Sequence, residues 1–312
     1  MKFSIFQDSR IGDRHNNEDR LAYSYSRDAL LMVVADGMGG HEGGEIASLI
    51  TVRVLMAAFK RHATPDLPDP FLFLQKYIKD AHQSITNYAS KYYLQDPPRT
   101  TLVACLIQNN IAYWAHSGDS RLYLLRNGRL FAQSRDHSRI RLLLDSGIIT
   151  LEQAINHPDR NKIYSCLGGP QAPEIDYSRK TPLKMGDVIM LCTDGVWGNL
   201  PTEHIEKVLF HGELNQAVPE LLRDAERLNG RGGDNLSVIA VRWGEDYVEA
   251  GNGNLSQLTT QTMGVSQVNT RLDIKSNKAG HVPLTDEEIN AAIDEIRTAI
   301  SSLGEEENKP SP

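Results

Sequence analysis

Four aspartates stand where apolar runs end or begin: Asp36 in VVADGMGG, Asp119 in HSGDSR, Asp194 in LCTDGVWG and Asp234 in GGDNLSV. An Asp-Gly pair taken alone is a turn. Repeated at the ends of strands that can be neighbours, the pattern gathers carboxylates on one rim, where they repel strongly unless a cation lies among them. In VVADG the glycine lets the backbone turn sharply and presents two oxygen ligands, the Asp36 carboxylate and the Gly37 carbonyl. Hard oxygen donors without histidine or cysteine favour Mg2+ or Mn2+ over zinc. A hydrolase triad is excluded at Asp136-His137-Ser138, because three consecutive residues cannot converge as orienter, base and nucleophile.

Positioning those carboxylates requires strands. The runs at 21–26, 30–36, 100–108, 111–117, 121–126, 187–194 and 235–243 are short, β-branched or aromatic, and apolar. Asn109-Asn110 and Asn127-Gly128 separate consecutive runs, and the second pair readily takes the positive φ angles of a type I′ turn, so antiparallel hairpins follow. Helical spacing covers about 44–62 and 70–93, interrupted by TPDLPDP. Strands that arrive in hairpins, with long helices between strand groups, give an α+β class: a sheet or sandwich covered by helices. Residues 136–180 are less regular and read as a mobile excursion near the site.

The chain has 312 residues, 40% of them apolar, enough for one substantial domain over 1–243. No stretch approaches the roughly 18 uninterrupted apolar residues of a membrane span, and the first residues carry no secretory pattern. Three scattered cysteines imply neither a disulfide framework nor a thiolate zinc site. A cytoplasmic location is expected. The net charge of −7 resides wholly beyond Trp243, since acidic and basic side chains balance before it. A neutral body offers no basic face to nucleic acid.

Seven blocks in order resemble the bacterial type 2C protein phosphatases, metal-dependent protein serine/threonine phosphatases: Arg14 to Asp19, Asp36 to His41, Thr100-Thr101, Gly118 to Arg121, Asp136 to Ser138, Asp194 to Trp197 and Gly232 to Asn235. The resemblance implies a central antiparallel β-sandwich flanked by helices on both sides, in four layers. It implies two core Mn2+ or Mg2+ ions, with Asp36 bridging them, the Gly37 carbonyl on one, and Asp194 and Asp234 completing the other. A third ion would take Asp119 and Asp194. Glu18 and Asp19 would hydrogen-bond metal-bound water, Asn235 would stand with them, and Arg14 would receive the substrate phosphate. The implied activity is hydrolysis of phosphoserine and phosphothreonine by a hydroxide shared between two cations. The planar, permanently charged fork of Arg14 suits phosphoryl oxygens. The alternative is a weak or inactive phosphatase-like protein that binds a signalling partner.

Three positions depart from the pattern or stay open. Met38 stands where many eukaryotic members have a histidine, and it cannot donate a proton. His41 is a second candidate donor, and Arg99 replaces the usual glycine before Thr100-Thr101. None of the cysteines has an arginine six positions on, which thiol-based phosphatases require. Beyond the domain, 244–283 is polar and reads as a flexible linker. In 284–304 a Thr285/Glu288 capping box precedes an apolar stripe through Ile289, Ile293, Ile296 and Ile300, an amphipathic helix that either packs locally or docks a partner. Residues 305–312 form an acidic, disordered end. The partners expected are phosphorylated proteins and a cognate serine/threonine kinase system.

Overall fold

A computed structural model describes residues 1–38, 43–63, 66–155, 157–244 and 259–263. His41, the tail helix expected over 284–304 and the end at 305–312 lie outside the described residues.

The chain opens with β1 (Phe3–Arg10), β2 (Arg20–Tyr25), β3 (Ala29–Ala35) and the two-residue β4 (Gly37–Met38), then α1 (Gly44–His62) and α2 (Pro70–Lys91). Asp69 caps α2, accepting from the Phe71 and Leu72 amides at 3.0 Å each, with Pro70 at the first helical position. Next come β5 (Arg99–Thr100), β6 (Leu102–Gln108), β7 (Ile111–Ser117), β8 (Arg121–Arg126) and β9 (Arg129–Gln133). Both expected hairpin turns form, with φ of 54° and 58° at Asn109 and Asn110 and of 52° and 71° at Asn127 and Gly128. The stretch 136–180, irregular by sequence, holds α3 (Arg139–Asp145), α4 (Leu151–Ile155) and a short β10 (Asp176–Tyr177). Then β11 (Thr181–Pro182), β12 (Val188–Cys192), α5 (Asp194–Trp197), α6 (Thr202–His211), α7 (Leu214–Asn229) and β13 (Leu236–Trp243) complete the domain.

One sheet has the order β1-β13-β12-β8-β9, and the other β10-β7-β6-β3-β2-β14, with β11 also on β7. Strand β14 (Thr259–Met263) lies inside the stretch whose composition reads as linker, yet it pairs antiparallel with β2, from Thr259 opposite Tyr25 to Met263 opposite Leu21. Threonine-rich polar sequence therefore suffices for an edge strand, where only backbone bonding is required.

The strands are apolar on both faces because both faces are covered. Leu122, Leu124, Ile189, Leu191, Ile239 and Val241 meet Leu30, Met32, Val34, Val103, Cys105 and Ile107 between the sheets. The alternate residues Tyr123, Leu125, Val188, Met190, Cys192, Val238 and Ala240 pack under α5 to α7, against Val196, Ile205, Leu209, Val218, Leu221 and Leu222. Full burial of each such aliphatic is worth about 1.5–3 kcal/mol. Helices α1 and α2 cover the second sheet, α1 packing on β2 and β3 and α2 on β7. The sequence reading anticipates this pair and omits α6 and α7, although Leu214, Val218, Leu221, Leu222 and Ala225 repeat at helical spacing. Gly212 and the internal Pro219 obscure the pattern. No helix among the described residues is long and apolar enough to cross a membrane.

Candidate metal centre

Register brings the aspartate-bearing connections to one end of the sandwich. Ala35 pairs with Arg20, Val34 with Val103 and Leu102 with Ser117 in one sheet. In the other, Arg121 pairs with Cys192, Cys192 with Val238, and Arg10 with Leu236. Asp36 follows β3, Asp119 joins β7 to β8, Asp194 follows β12, and Asp234 precedes β13. The loop from β1 to β2 carries Arg14, Glu18 and Asp19 to the same end.

Asp36 and Asp119 are fixed through their backbones. The Asp36 carbonyl accepts from the Thr101 amide and the Thr100 hydroxyl, both at 2.8 Å, and its amide donates to Thr101 Oγ1 at 3.1 Å. Thr101 Oγ1 in turn lies 2.6 Å from Ser120 Oγ, beside Asp119. The Asp119 carbonyl accepts from the Trp197 indole at 2.9 Å. Arg121 stacks 3.3 Å over that indole and grips Asp136 with two bonds of 2.7 and 2.6 Å, which gives Asp136 a structural place. Gly37 admits no larger residue, because a Cβ there would overlap the Gly44 carbonyl at the start of α1. That close approach holds Gly37 and Met38 in β4, opposite Thr100 and Arg99.

The electrostatics are those of a site built around positive charge. Burial, then Asp19, Asp194, Asp119 and Asp234, hold the Asp36 carboxyl well above the usual carboxylate range. Burial, then Asp194 and Asp136, do the same for Asp119. Asp19 is pushed up to about 7 by burial, opposed by hydrogen bonds with Ser237 and Thr193. Asp194 is pushed up to about 6 by burial and then by Asp234, opposed by a hydrogen bond with Asp36. Glu18 is raised by burial and by Glu45. One oxygen each of Asp19 and Asp194 is buried without a hydrogen-bond partner. Bare buried carboxylate oxygens, in a set with no sulfur or imidazole, fit hard divalent cations.

Arg14 and Asn235 are engaged more locally than the sequence implies. Arg14 Nη2 donates to Asp234 Oδ2 at 2.8 Å, with both side chains half-exposed, so the expected phosphate ligand rests on an expected metal ligand. The Asn235 side chain accepts from the Glu18 amide at 2.9 Å and donates to the Ile11 and Asn16 carbonyls at 2.7 and 3.0 Å. These bonds to backbone shape the loop that carries Glu18. The roles of Thr100, Thr101 and Trp197 escape sequence reasoning, because backbone tethers leave no signature beyond the motif itself.

Residues 6–226 match the family described as protein phosphatase 2C. The chain is 33% identical to the serine/threonine phosphatase stp of Listeria innocua, over 76% of this chain and 94% of that one. The crystal structure of the Mycobacterium tuberculosis serine/threonine phosphatase PstP superposes with a TM-score of 0.69 at 31% identity, covering 79% of this chain and all of the other. A PstP catalytic domain solved with two manganese ions matches at 30% identity and a TM-score of 0.66, over 77% of this chain and 98% of that one. With the family model matching residues 6–226 and a curated relative 33% identical over 76% of this chain, the chain belongs to the protein phosphatase 2C family.

Proposed function

We propose that the chain is a metal-dependent protein serine/threonine phosphatase, hydrolysing phosphoserine and phosphothreonine with Mn2+ or Mg2+. The observation that carries this reading is the meeting of Asp36, Asp119, Asp194 and Asp234, with Asp19, at one end of the sandwich, with bare carboxylate oxygens turned inward. Asp36, the Gly37 carbonyl, Asp194 and Asp234 are the groups that would hold two cations, and Asp119 with Asp194 a third. The chemistry supplied by a bound pair is Lewis-acid activation of water and neutralisation of phosphoryl charge. Asp19, fixed by the Thr193 hydroxyl at 2.9 Å, and Glu18 would accept hydrogen bonds from water at the site and orient it. Arg14 donates to Asp234 at 2.8 Å, which keeps its guanidinium at the rim, where its planar fork would donate two parallel bonds to phosphoryl oxygens.

The substrates are phosphorylated proteins, and an opposing serine/threonine kinase completes the cycle in the cytoplasm. Residues 284–304 are proposed as a docking segment for a native substrate. Their deletion should leave p-nitrophenyl phosphate turnover intact and slow a native phosphoprotein; equal rates on both would remove the docking role.

The deciding assay is turnover of p-nitrophenyl phosphate and of a phosphothreonine peptide with Mn2+, Mg2+ or EDTA. Turnover with Mn2+ and its loss in EDTA are expected. Absence of turnover with either ion would favour the non-catalytic partner-binding reading, and undiminished turnover in EDTA would overturn the metal mechanism.

A further inference from the structure

His116, His137 and Asp176 each bring one ligand atom within 4.8 Å of the other two. His116 is the next-to-last residue of β7, and Asp176 in β10 is its direct cross-strand partner. His137 follows β9; its amide donates to the Gly118 carbonyl at 2.9 Å, and its carbonyl accepts from the Tyr164 amide at 2.9 Å. The two imidazoles lie 4.8 Å apart between centroids, with Tyr164 stacked at 5.4 Å from His137. Both histidines are buried, at 3% and 2% exposure, while the Asp176 side chain is half-exposed.

The tautomer of His116 is fixed by its surroundings. Its Nε2 lies 2.6 Å from the Arg135 carbonyl, a position only an N–H can occupy, so the lone pair is on Nδ1. That Nδ1 is buried and has no hydrogen-bond partner. Burial also lowers the His116 pKa, which keeps the ring neutral. A neutral imidazole whose N–H is anchored on a carbonyl, with its second nitrogen bare, is the usual form of a metal-ligating histidine. His137 Nε2 stands 3.4 Å from Asp176 Oδ2. This is long for a hydrogen bond and matches the edge, about 3.4 Å, of a tetrahedron with ligand distances near 2.1 Å. Freeing the Nε2 lone pair places the proton on Nδ1, at the expense of a 3.4 Å contact from the Gly118 amide that is already beyond the ordinary range.

We propose that His116, His137 and Asp176 form a second metal site, of the chemistry that takes Zn2+, separate from the aspartate centre. Two imidazoles and one carboxylate select a borderline transition-metal ion over Mg2+, and three protein ligands leave a fourth position at the exposed rim for water. The site closes a loop: residues 138–175 depart after His137 and return at Asp176, so an ion here pins both ends of that excursion to β7, three residues before Asp119.

The test uses the full chain, stripped by chelator and dialysed against Zn2+ in a large excess of Mg2+, with bound zinc measured by atomic absorption. Wild type should retain one zinc per chain, and Asp176→Ala and His116→Gln should each weaken retention about tenfold or more. Co2+ in place of zinc should give visible bands of tetrahedral intensity that Asp176→Ala abolishes. Failure to retain zinc against Mg2+, equal retention by wild type and variants, or only the weak Co2+ spectrum of six-coordinate oxygen ligation would overturn the site. Asp176 lies on the rim, so its variant decides the matter if His116→Gln unfolds. None of these readouts depends on phosphatase activity.

Discussion

At the residue scale, the buried carboxylates make the protein's stability a function of both pH and cations. Asp19 moves from 3.8 to about 7 and Asp194 from 3.8 to about 6, burial being the first cause of each. A carboxyl shifted upward keeps its proton in the folded chain after the unfolded chain has lost its own. The cation-free protein is therefore favoured below about pH 4 and loses that stability as pH rises through about 6 and 7. Calorimetry in EDTA should show the melting temperature falling between pH 5 and pH 7.5, at roughly 2–4 °C per kcal/mol for a domain of this size, with Mn2+ restoring it at the upper pH. A melting temperature that rises over that interval in EDTA would contradict the buried charge cluster. Asp36→Asn removes one such charge while keeping shape and size. Turnover should drop below about 1% of wild type, at least ~2.7 kcal/mol of transition-state stabilisation, while EDTA-treated protein melts no lower than wild type.

At the element scale, the short β5 has a reach beyond its two residues. Thr100 exchanges backbone bonds with Leu167, 3.1 Å from its amide and 2.9 Å to its carbonyl, and its hydroxyl holds the Asp36 carbonyl. Thr101, next along, joins Asp36 to Ser120. Thr101→Val keeps the volume and removes the hydroxyl, leaving the Asp36 amide and Ser120 without that partner. Mn2+ affinity measured by titration calorimetry should weaken about 10–100-fold, and Ser120→Ala should produce a smaller loss that does not add to it. The strands β2, β3, β6 to β8, β12 and β13 and the first two helices were legible in the sequence, because apolar runs, helical spacing and the Asn-Asn and Asn-Gly turns each carry a local physical cause. Helices α6 and α7 and the strand β1 were harder to read. The helices' apolar stripe is interrupted by glycine and proline, and in β1 partly buried positions alternate poorly, as in FSIFQDSR. Asp36, Asp119, Asp194 and Asp234 could be picked out by their place at strand ends, whereas the Arg14–Asp234 pair and the loop-shaping bonds of Asn235 depend on side-chain geometry that spacing does not encode.

At the scale of the whole molecule, every aspartate of the candidate centre lies before β13, so a chain ending at Gly244 should keep Mn2+-dependent p-nitrophenyl phosphate turnover within about twofold. The same cut removes β14 and leaves the β2 edge unpaired. Light scattering should then detect more self-association than in the full chain, because an open edge offers free amides and carbonyls to another strand. A shortened chain that remains monomeric would show that β14 is not needed to guard that edge. The carboxylates are also divided between the sheets: Asp36 hangs from β3 in one, Asp194 and Asp234 flank β12 and β13 in the other, and Asp119 spans the gap from β7 to β8. An ion gripped from both halves works like a rivet through two plates. Warming that lets the plates slip should thus release manganese before the far-ultraviolet signal of the strands is lost, and a chelator should loosen the same seam at a lower temperature.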